Sequence, residues 1–238
     1  MVFIHNSLIQ TAKINSNRCA RKSRITIRIS IISKNSYDFL VDTNDHYKEI
    51  NKIPILVKIR KFINSVFNSN SYIIYEENKG IIIDIGDFEP VINFIKKHNL
   101  NIQALFITHT HYDHIYGIKE FIFEFPNTPI YTSAFGHEAL KKSNLNLSRY
   151  HNDPIEIDSP YIFILNGDEQ MFISGIKIEV IACPGHDKSC LSFKINNNLF
   201  TGDSYIPNNK VIATFPNSDK SMAKLWLSLI HISEPTRH

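Results

Sequence analysis

The segment Thr108-His109-Thr110-His111-Tyr112-Asp113-His114 places four potential metal ligands within six consecutive residues. It directly follows Ala104-Leu105-Phe106-Ile107, an apolar stretch that predicts a buried strand. Imidazole nitrogens and carboxylate oxygens are suitable ligands for zinc and similar divalent metals, and a loop at a strand end lets several of them converge. Packing alone gives no reason for such a density of ligand types, so the segment predicts a metal site.

Two later segments carry the same kinds of side chain, and each follows a predicted strand. They are Cys183-Pro184-Gly185-His186-Asp187 and Leu199-Phe200-Thr201-Gly202-Asp203. Their glycines permit the close backbone approach that a ligand loop needs. His186 can complete a set of three imidazoles, because His109 and His111 share one side of an extended chain. Asp113 and His114 can turn towards a second point about 3.5–4 Å away, the usual separation of two catalytic metals, with Asp203 between the two.

Apolar periodicity predicts strands on either side of a group of helices. The predicted helices cover residues 88–98, 114–123 and 135–142. The predicted strands are 55–59, 71–75, 80–86, 104–107, 130–131, 161–165, 176–182, 191–195 and 199–201. This order is typical of a mixed α/β (α+β) fold in which two sheets pack face to face with helices outside, a four-layer αβ/βα sandwich.

The succession His-x-His-x-Asp-His, Pro-Gly-His and Thr-Gly-Asp resembles the metallo-β-lactamase-fold hydrolase superfamily. The similarity runs from Ile55 to Trp226 and includes Asn70-Ser71-Tyr72 and Ile83-Asp84-Ile85-Gly86. The resemblance implies two divalent metal ions, which we expect to be zinc, with iron or manganese as alternatives. The implied metal ligands are His109, His111, Asp113, His114, His186 and Asp203.

The resemblance also implies the roles of the carboxylates. Two bound metals would lower the pKa of a water to about 7 and so generate hydroxide at neutral pH. Asp113 and Asp203 would act as the catalytic residues that hold and orient this hydroxide, and Asp113 would also pass a proton to the leaving group. Asp84 would lie beside the metal loop and orient the ligand histidines.

One part of the family pattern is missing. Members supply a last histidine from a Gly-His segment after a further helix and strand, and this chain has only His231 and His238 after Asp203. Both histidines lie in residues 227–238, which resemble the translation of a transposase-type sequencing adapter. We therefore expect residues 227–238 to be an artefact, the fold to be incomplete at its C-terminal end, and the second metal site to be incomplete.

Three functions are compatible with the predicted metal site. The first is hydrolysis of a small ester or thioester, as in the hydroxyacylglutathione hydrolase branch of the superfamily. The second is a phosphodiesterase or RNA-processing nuclease, and the third is an inactive metal-binding module. Residues 37–238 carry 19 basic against 23 acidic side chains, so we expect a small-molecule substrate rather than a nucleic acid. The oligomeric state is left open.

Composition indicates one sizeable domain, since 43% of the residues are hydrophobic and 21% are charged. We expect this domain to span residues 53–226. The first 36 residues include seven Lys or Arg and no acidic side chain. We expect residues 1–52 to be a basic extension that is either disordered or the result of a mis-assigned start codon. Three cysteines and the lack of a long apolar run predict a soluble, cytoplasmic protein without a membrane span.

Other candidate residues are assigned smaller roles. His98, His137 and His151 are expected at a helix end, on an exposed helix and in a loop, and His137 and His151 are the two that could reach a substrate. Core packing is the expected role of Cys183 and Cys190. Tyr112 and Tyr205 either line the pocket or pack elsewhere.

Overall fold

The computed structural model describes residues 57–206 and 210–233, so the extension predicted for residues 1–52 lies outside the described residues. A six-stranded sheet contains β1 (Lys58–Ile63), β2 (Asn70–Glu76), β3 (Lys79–Ile83), β4 (Asn101–Phe106), β5 (Ile130–Ser133) and β6 (Ile162–Leu165) in that spatial order. A four-stranded antiparallel sheet contains β7 (Gln170–Ile173), β8 (Ile176–Ala182), β9 (Leu191–Ile195) and β10 (Asn198–Phe200).

The five α-helices of the described residues are α1 (Phe88–His98), α2 (Tyr112–Ile115), α3 (Ile118–Glu124), α4 (Ala134–Leu140) and α5 (Lys220–Ser233). Single turns of 3-10 helix cover Ser148–Tyr150 and Gly202–Ser204. Parallel pairing of β3 with β4, β4 with β5 and β5 with β6 requires crossover connections, and α1, α3 and α4 lie in those connections.

Strand alternation divides the interior into two clusters on opposite faces of the first sheet. Ile82 and Leu105 face the helices, where they join Val91 of α1 and Phe121 of α3. Their neighbours Ile81, Ile83, Ala104 and Phe106 face the second sheet and pack against Ile178, Val180, Leu191 and Phe193. Both faces of β3 and β4 are therefore buried, which explains their nearly continuous apolar sequences. The predicted sandwich of two sheets with helices is confirmed.

Several predicted elements differ from those observed. The single helix predicted over residues 114–123 is two helices, α2 and α3, separated at Gly117. The N–H of Gly117 donates to the carbonyl of Ile85 at 3.1 Å, and a Cβ at Gly117 would overlap the carbonyl oxygen of Gly86. The chain thus approaches the end of β3 too closely for a continuous helix. Strand β7 was not predicted, and β1 lies a few residues later than expected.

The predicted boundary at residue 227 falls inside α5, and residues 234–238 lie outside the described residues. The N–H of Asp219 donates to the carbonyl of Gly185 at 2.8 Å, so the start of α5 is held against the loop that carries His186. Within the described parts of the chain, no helix is long and apolar enough to cross a membrane.

Candidate metal centre

Loops at the ends of four strands form one site. Asp84 follows β3, the segment of His109 to His114 follows β4, His186 follows β8, and Asp203 follows β10. The N–H of Leu191 in β9 donates to the carbonyl of Thr108 at 2.7 Å, which joins the ligand segment of the first sheet to the second sheet. The two sheets therefore hold the loops that carry the predicted ligands side by side.

The three imidazoles predicted for one metal lie together. Ligand nitrogens of His109, His111 and His186 are within 4.8 Å of one another, and all three residues are buried. His186 Nε2 is 2.9 Å from His111 Nδ1. His186 Nδ1 lies 2.6 Å from the carbonyl oxygen of Ile212, which can only accept, so this nitrogen carries the proton and the lone pair of Nε2 is available to a cation.

The remaining predicted ligands form a second group that also adjoins His109. His114 Nε2 is 3.4 Å from Asp113 Oδ2 and 3.4 Å from Asp203 Oδ1. The other oxygen of Asp203, Oδ2, is 3.6 Å from His186 Nε2. Asp203 thus lies between His114 and His186, within reach of both groups of predicted ligands. All six predicted ligand side chains are brought together, and their metal binding stays a prediction.

Two buried nitrogens test whether these residues fit a metal. His109 Nε2 and His114 Nε2 have no hydrogen-bond partner within the described structure. Buried polar atoms in proteins are nearly always satisfied, and cations bound at this site would satisfy these two nitrogens. The set of imidazole and carboxylate donors suits zinc, iron or manganese. The residues present therefore fit a metal centre.

Asp84 forms hydrogen bonds with the segment that carries His109 to His114. Its Oδ1 accepts from the N–H of Thr108 at 2.7 Å, and its Oδ2 accepts from the Thr108 hydroxyl at 2.6 Å. The same Oδ2 lies 2.8 Å from His114 Nδ1, which turns His114 Nε2 towards Asp113 and Asp203. Asp84 thus lies where it can orient His114, and its role in a metal site stays a prediction. Its φ of 55° is left-handed, a conformation that aspartate tolerates better than most residues.

The shared environment shifts the ionisation of the histidines in opposite directions. Burial, followed by the nearby His114, holds the pKa of His109 well below its ordinary value. Burial would also lower the pKa of His114, but the negative charge of Asp84 outweighs it and holds that pKa well above the ordinary value. The pKa of His186 is lowered by burial and by His111.

The carboxyl groups are also shifted. Burial raises the pKa of Asp113, with a further contribution from Asp203, although His114 opposes the shift. Burial acts in the same direction on Asp203, but the neighbouring His114, with its Nε2 3.4 Å from Asp203 Oδ1, outweighs burial and the pKa of Asp203 is lowered. A His109 that stays neutral and an Asp203 that stays ionised are the forms that can bind a cation.

A cavity of about 1020 Å³ opens onto the site. Asp113 and Asp203 line it with partly exposed side chains, 13% and 29% accessible, and are the most accessible of the six predicted ligands. Aromatic groups form much of the wall, and Lys61 and Lys210 add positive charge. Tyr112, Tyr205 and His151 line the cavity, and the ring of His151 stacks on that of Tyr112 at 3.7 Å. His98 and His137 are not among the lining residues.

Sequence reasoning missed two residues that contact the ligands. Thr108 Oγ1 is 3.3 Å from His109 Nδ1 while its hydroxyl donates to Asp84. Asp187 Oδ2 lies 3.5 Å from His111 Nε2, and the side chain is buried. Asp187 directly follows His186, so an acidic residue next to a predicted ligand was the signal that the sequence offered. Cys183 and Cys190 are free and buried, as expected of core residues.

Comparisons with known proteins agree with this architecture. The family profile described as Metallo-beta-lactamase superfamily matches residues 64–235. The hydroxyacylglutathione hydrolase of Francisella philomiragia subsp. philomiragia is 28% identical over 176 residues, which are 73% of this chain and 61% of that protein. Hydroxyacylglutathione hydrolase 1 of Vibrio vulnificus is 27% identical over 139 residues, which are 58% of this chain and 48% of that protein. The chain thus spans only about half to three fifths of these relatives.

Among solved structures, the B3 metallo-beta-lactamase BLEG-1 superposes with a TM-score of 0.66 at 23% identity. The match covers 72% of this chain and 84% of BLEG-1. Similarity at this level of identity shows a shared fold, and it confirms the four-layer sandwich type predicted from the sequence.

Proposed function

The chain belongs to the metallo-beta-lactamase superfamily of hydrolases, and from this membership we propose that it hydrolyses a small ester or thioester with the help of two divalent metal ions. The observation that carries the proposal is the pair of buried, unpartnered nitrogens, His109 Nε2 and His114 Nε2, among six converging ligand side chains beside a large cavity. We propose zinc as the metal, with iron and manganese as alternatives that the same donors accept.

Each ligand has a role in this proposal. His109, His111 and His186 would hold one metal, and Asp113 and His114 would hold the other, with Asp203 shared. When bound, such a pair of metals supplies a hydroxide nucleophile at neutral pH and polarises the substrate oxygen. Asp113 and Asp203 would orient the attacking group, because they are the ligands with side chains exposed to the cavity. Asp113 would then take up the proton of the attacking group and pass it to the leaving group.

The cavity and the relatives support a small acidic substrate. Lys61 and Lys210 are the lysines that line the cavity, and their charge favours a substrate with a carboxylate. The curated relatives named hydroxyacylglutathione hydrolase support the thioester branch. Because the chain spans only part of those relatives, the substrate belongs to the proposal. We also propose a cytoplasmic location, which the free thiols of Cys183 and Cys190 support.

The test compares three substrate classes on one preparation. Protein loaded with zinc, iron(II) or manganese(II) is assayed with acyl thioesters, aryl esters and bis(p-nitrophenyl) phosphate, and the bound metal is quantified. We expect thioester or ester turnover that is lost in His109→Ala together with metal. His98→Gln, at an exposed position outside the cavity, is the matched control and should leave both unchanged.

The other outcomes separate the alternatives. Turnover of the phosphodiester alone would identify a phosphodiesterase and contradict the ester assignment. Bound metal without turnover of any substrate would identify a metal-binding module. Unchanged metal content in His109→Ala would contradict the site itself.

A further inference from the structure

Asp187 is a buried carboxylate that faces a predicted metal ligand. It lies in the loop between β8 and β9 with 1% of its surface exposed. Its Oδ1 accepts two hydrogen bonds from Ser189, one from the N–H at 2.8 Å and one from the hydroxyl at 2.5 Å. Its Oδ2 has no hydrogen-bond partner in the described structure and lies 3.5 Å from His111 Nε2.

The orientation of His111 explains why this second oxygen matters. His111 Nδ1 points at His186 Nε2, 2.9 Å away, which is where the first group of ligands converges. An imidazole that binds a metal through Nδ1 keeps its proton on Nε2. That N–H would point at Asp187 Oδ2. Metal-bound histidines commonly donate their second ring N–H to a carboxylate, which sets the ring orientation and strengthens the ligand.

The loop holds Asp187 in place relative to His111. The N–H of Thr110, which directly precedes His111, donates to the hydroxyl oxygen of Ser189 at 3.1 Å, and that hydroxyl donates to Asp187 Oδ1. The carboxylate is thus tied to the segment that carries the imidazole it faces. A buried carboxylate oxygen without a partner costs free energy, and a donor on His111 would remove that cost.

We propose that Asp187 is a positioning residue whose carboxylate holds the Nε2–H of His111 and thereby presents His111 Nδ1 to the first metal. The inference rests on the proposed metal centre but not on any substrate. Asp187 acts through His111 and touches neither metal nor substrate. Removing the charge should therefore weaken metal binding only while His111 is present.

The test is a double-mutant cycle on metal affinity. Zinc affinity is measured by competition with a chromophoric chelator for the wild-type chain, Asp187→Asn, His111→Ala and the double variant. Asparagine retains an oxygen for the two Ser189 hydrogen bonds and replaces the oxygen that faces His111. We expect Asp187→Asn to weaken zinc binding about 10- to 100-fold in the wild-type background. In the His111→Ala background we expect less than about a threefold effect, because the partner is gone.

Controls separate a positioning role from a role in holding the loop. Asp158→Asn changes an aspartate with 77% of its side chain exposed and should leave zinc affinity unchanged. Ser189→Ala keeps the carboxylate but removes one support, so it should weaken zinc binding less than Asp187→Asn and again only with His111 present. This second cycle tests the same proposal if Asp187→Asn does not fold.

A spectroscopic signature provides an independent readout. In the cobalt-loaded wild-type chain, the Nε2–H of His111 should give a shifted, slowly exchanging proton resonance that is lost or exchanges rapidly in Asp187→Asn. Equal losses of zinc affinity in both backgrounds, or no loss in the wild-type background, would overturn the inference. A wild-type chain that binds no zinc would contradict the proposed function as well, so the two failures are distinguishable.

Discussion

Replacing Asp84 by asparagine should destabilise the metal-free protein by about 3 kcal/mol. Asparagine tolerates the left-handed φ of 55° at this position, so the backbone contributes little to the change. Its carbonyl oxygen can retain the hydrogen bond from the N–H of Thr108. Its amide nitrogen cannot accept the two hydrogen bonds that now reach Oδ2, one from the Thr108 hydroxyl and one from His114 Nδ1.

The magnitude follows from those two lost hydrogen bonds. Hydrogen bonds to charged groups contribute roughly 1.5–3 kcal/mol each, and the freed Thr108 hydroxyl can rotate to recover part of one. A loss of about 3 kcal/mol corresponds to a fall in melting temperature of about 6–12 °C for a domain of this size. Because folded domains have only about 5–15 kcal/mol of stability, the variant should fold but unfold at clearly lower denaturant concentration.

The effect should depend on pH in a defined direction. Asp84 holds the pKa of His114 well above its ordinary value. A histidine with a raised pKa in the folded state contributes stability that is fully present below the unfolded pKa of about 6.5, and this contribution is lost as the pH rises through the folded value. The difference between wild type and Asp84→Asn should therefore be largest near pH 6 and should narrow at alkaline pH.

Urea unfolding followed by circular dichroism, in the presence of a chelator, measures this difference. Asp168→Asn, an exposed aspartate in the loop before β7, is the control and should change stability by less than about 0.5 kcal/mol. A loss below about 1 kcal/mol at pH 6, or a difference that widens as the pH rises, would refute the reasoning.

Three further predictions concern the metal-free chain. Its unfolding free energy should fall as the pH drops below about 6.5, because burial keeps the pKa of His109 low while the unfolded chain takes up the proton. Urea titrations at several pH values measure this fall. In His109→Gln the unfolding free energy should depend less steeply on pH. Gly202→Ala should lower the free energy of unfolding by at least about 2 kcal/mol, since Gly202 has a φ of +49° and a Cβ would overlap the Thr108 side chain. Thermal unfolding measures this loss, and an unchanged melting temperature would contradict it. Phe193→Ala, at a fully buried site, should cost about 3–5 kcal/mol in urea unfolding. Phe172→Ala, at a site that is 61% exposed, should cost less than about 1 kcal/mol, and equal effects would contradict the packing described.

Local sequence predicted the parts of the fold that depend on neighbouring residues. Strands β3 and β4 are apolar over consecutive positions because both of their faces are buried, and α1 has the apolar spacing of Val91, Ile92 and Ile95 that faces the first sheet. Strand β7, with the sequence Gln-Met-Phe-Ile, is short and partly exposed, so its sequence carries little signal. The break at Gly117 depends on a contact with the end of β3, more than thirty residues earlier in the chain, which periodicity cannot show.

By itself, the sequence determined the residue types of the predicted ligands, their order and their positions at strand ends. These properties are local, since a strand followed by a loop of histidines and aspartates can be recognised from consecutive residues. Only the tertiary structure decided which nitrogen of each imidazole faces the site, because that choice depends on partners far apart in the chain. Asp84 turns His114, the carbonyl of Ile212 turns His186, and Asp187 lies against His111. Sequence patterns carry no information about such pairings, which arise when two sheets bring separate loops together.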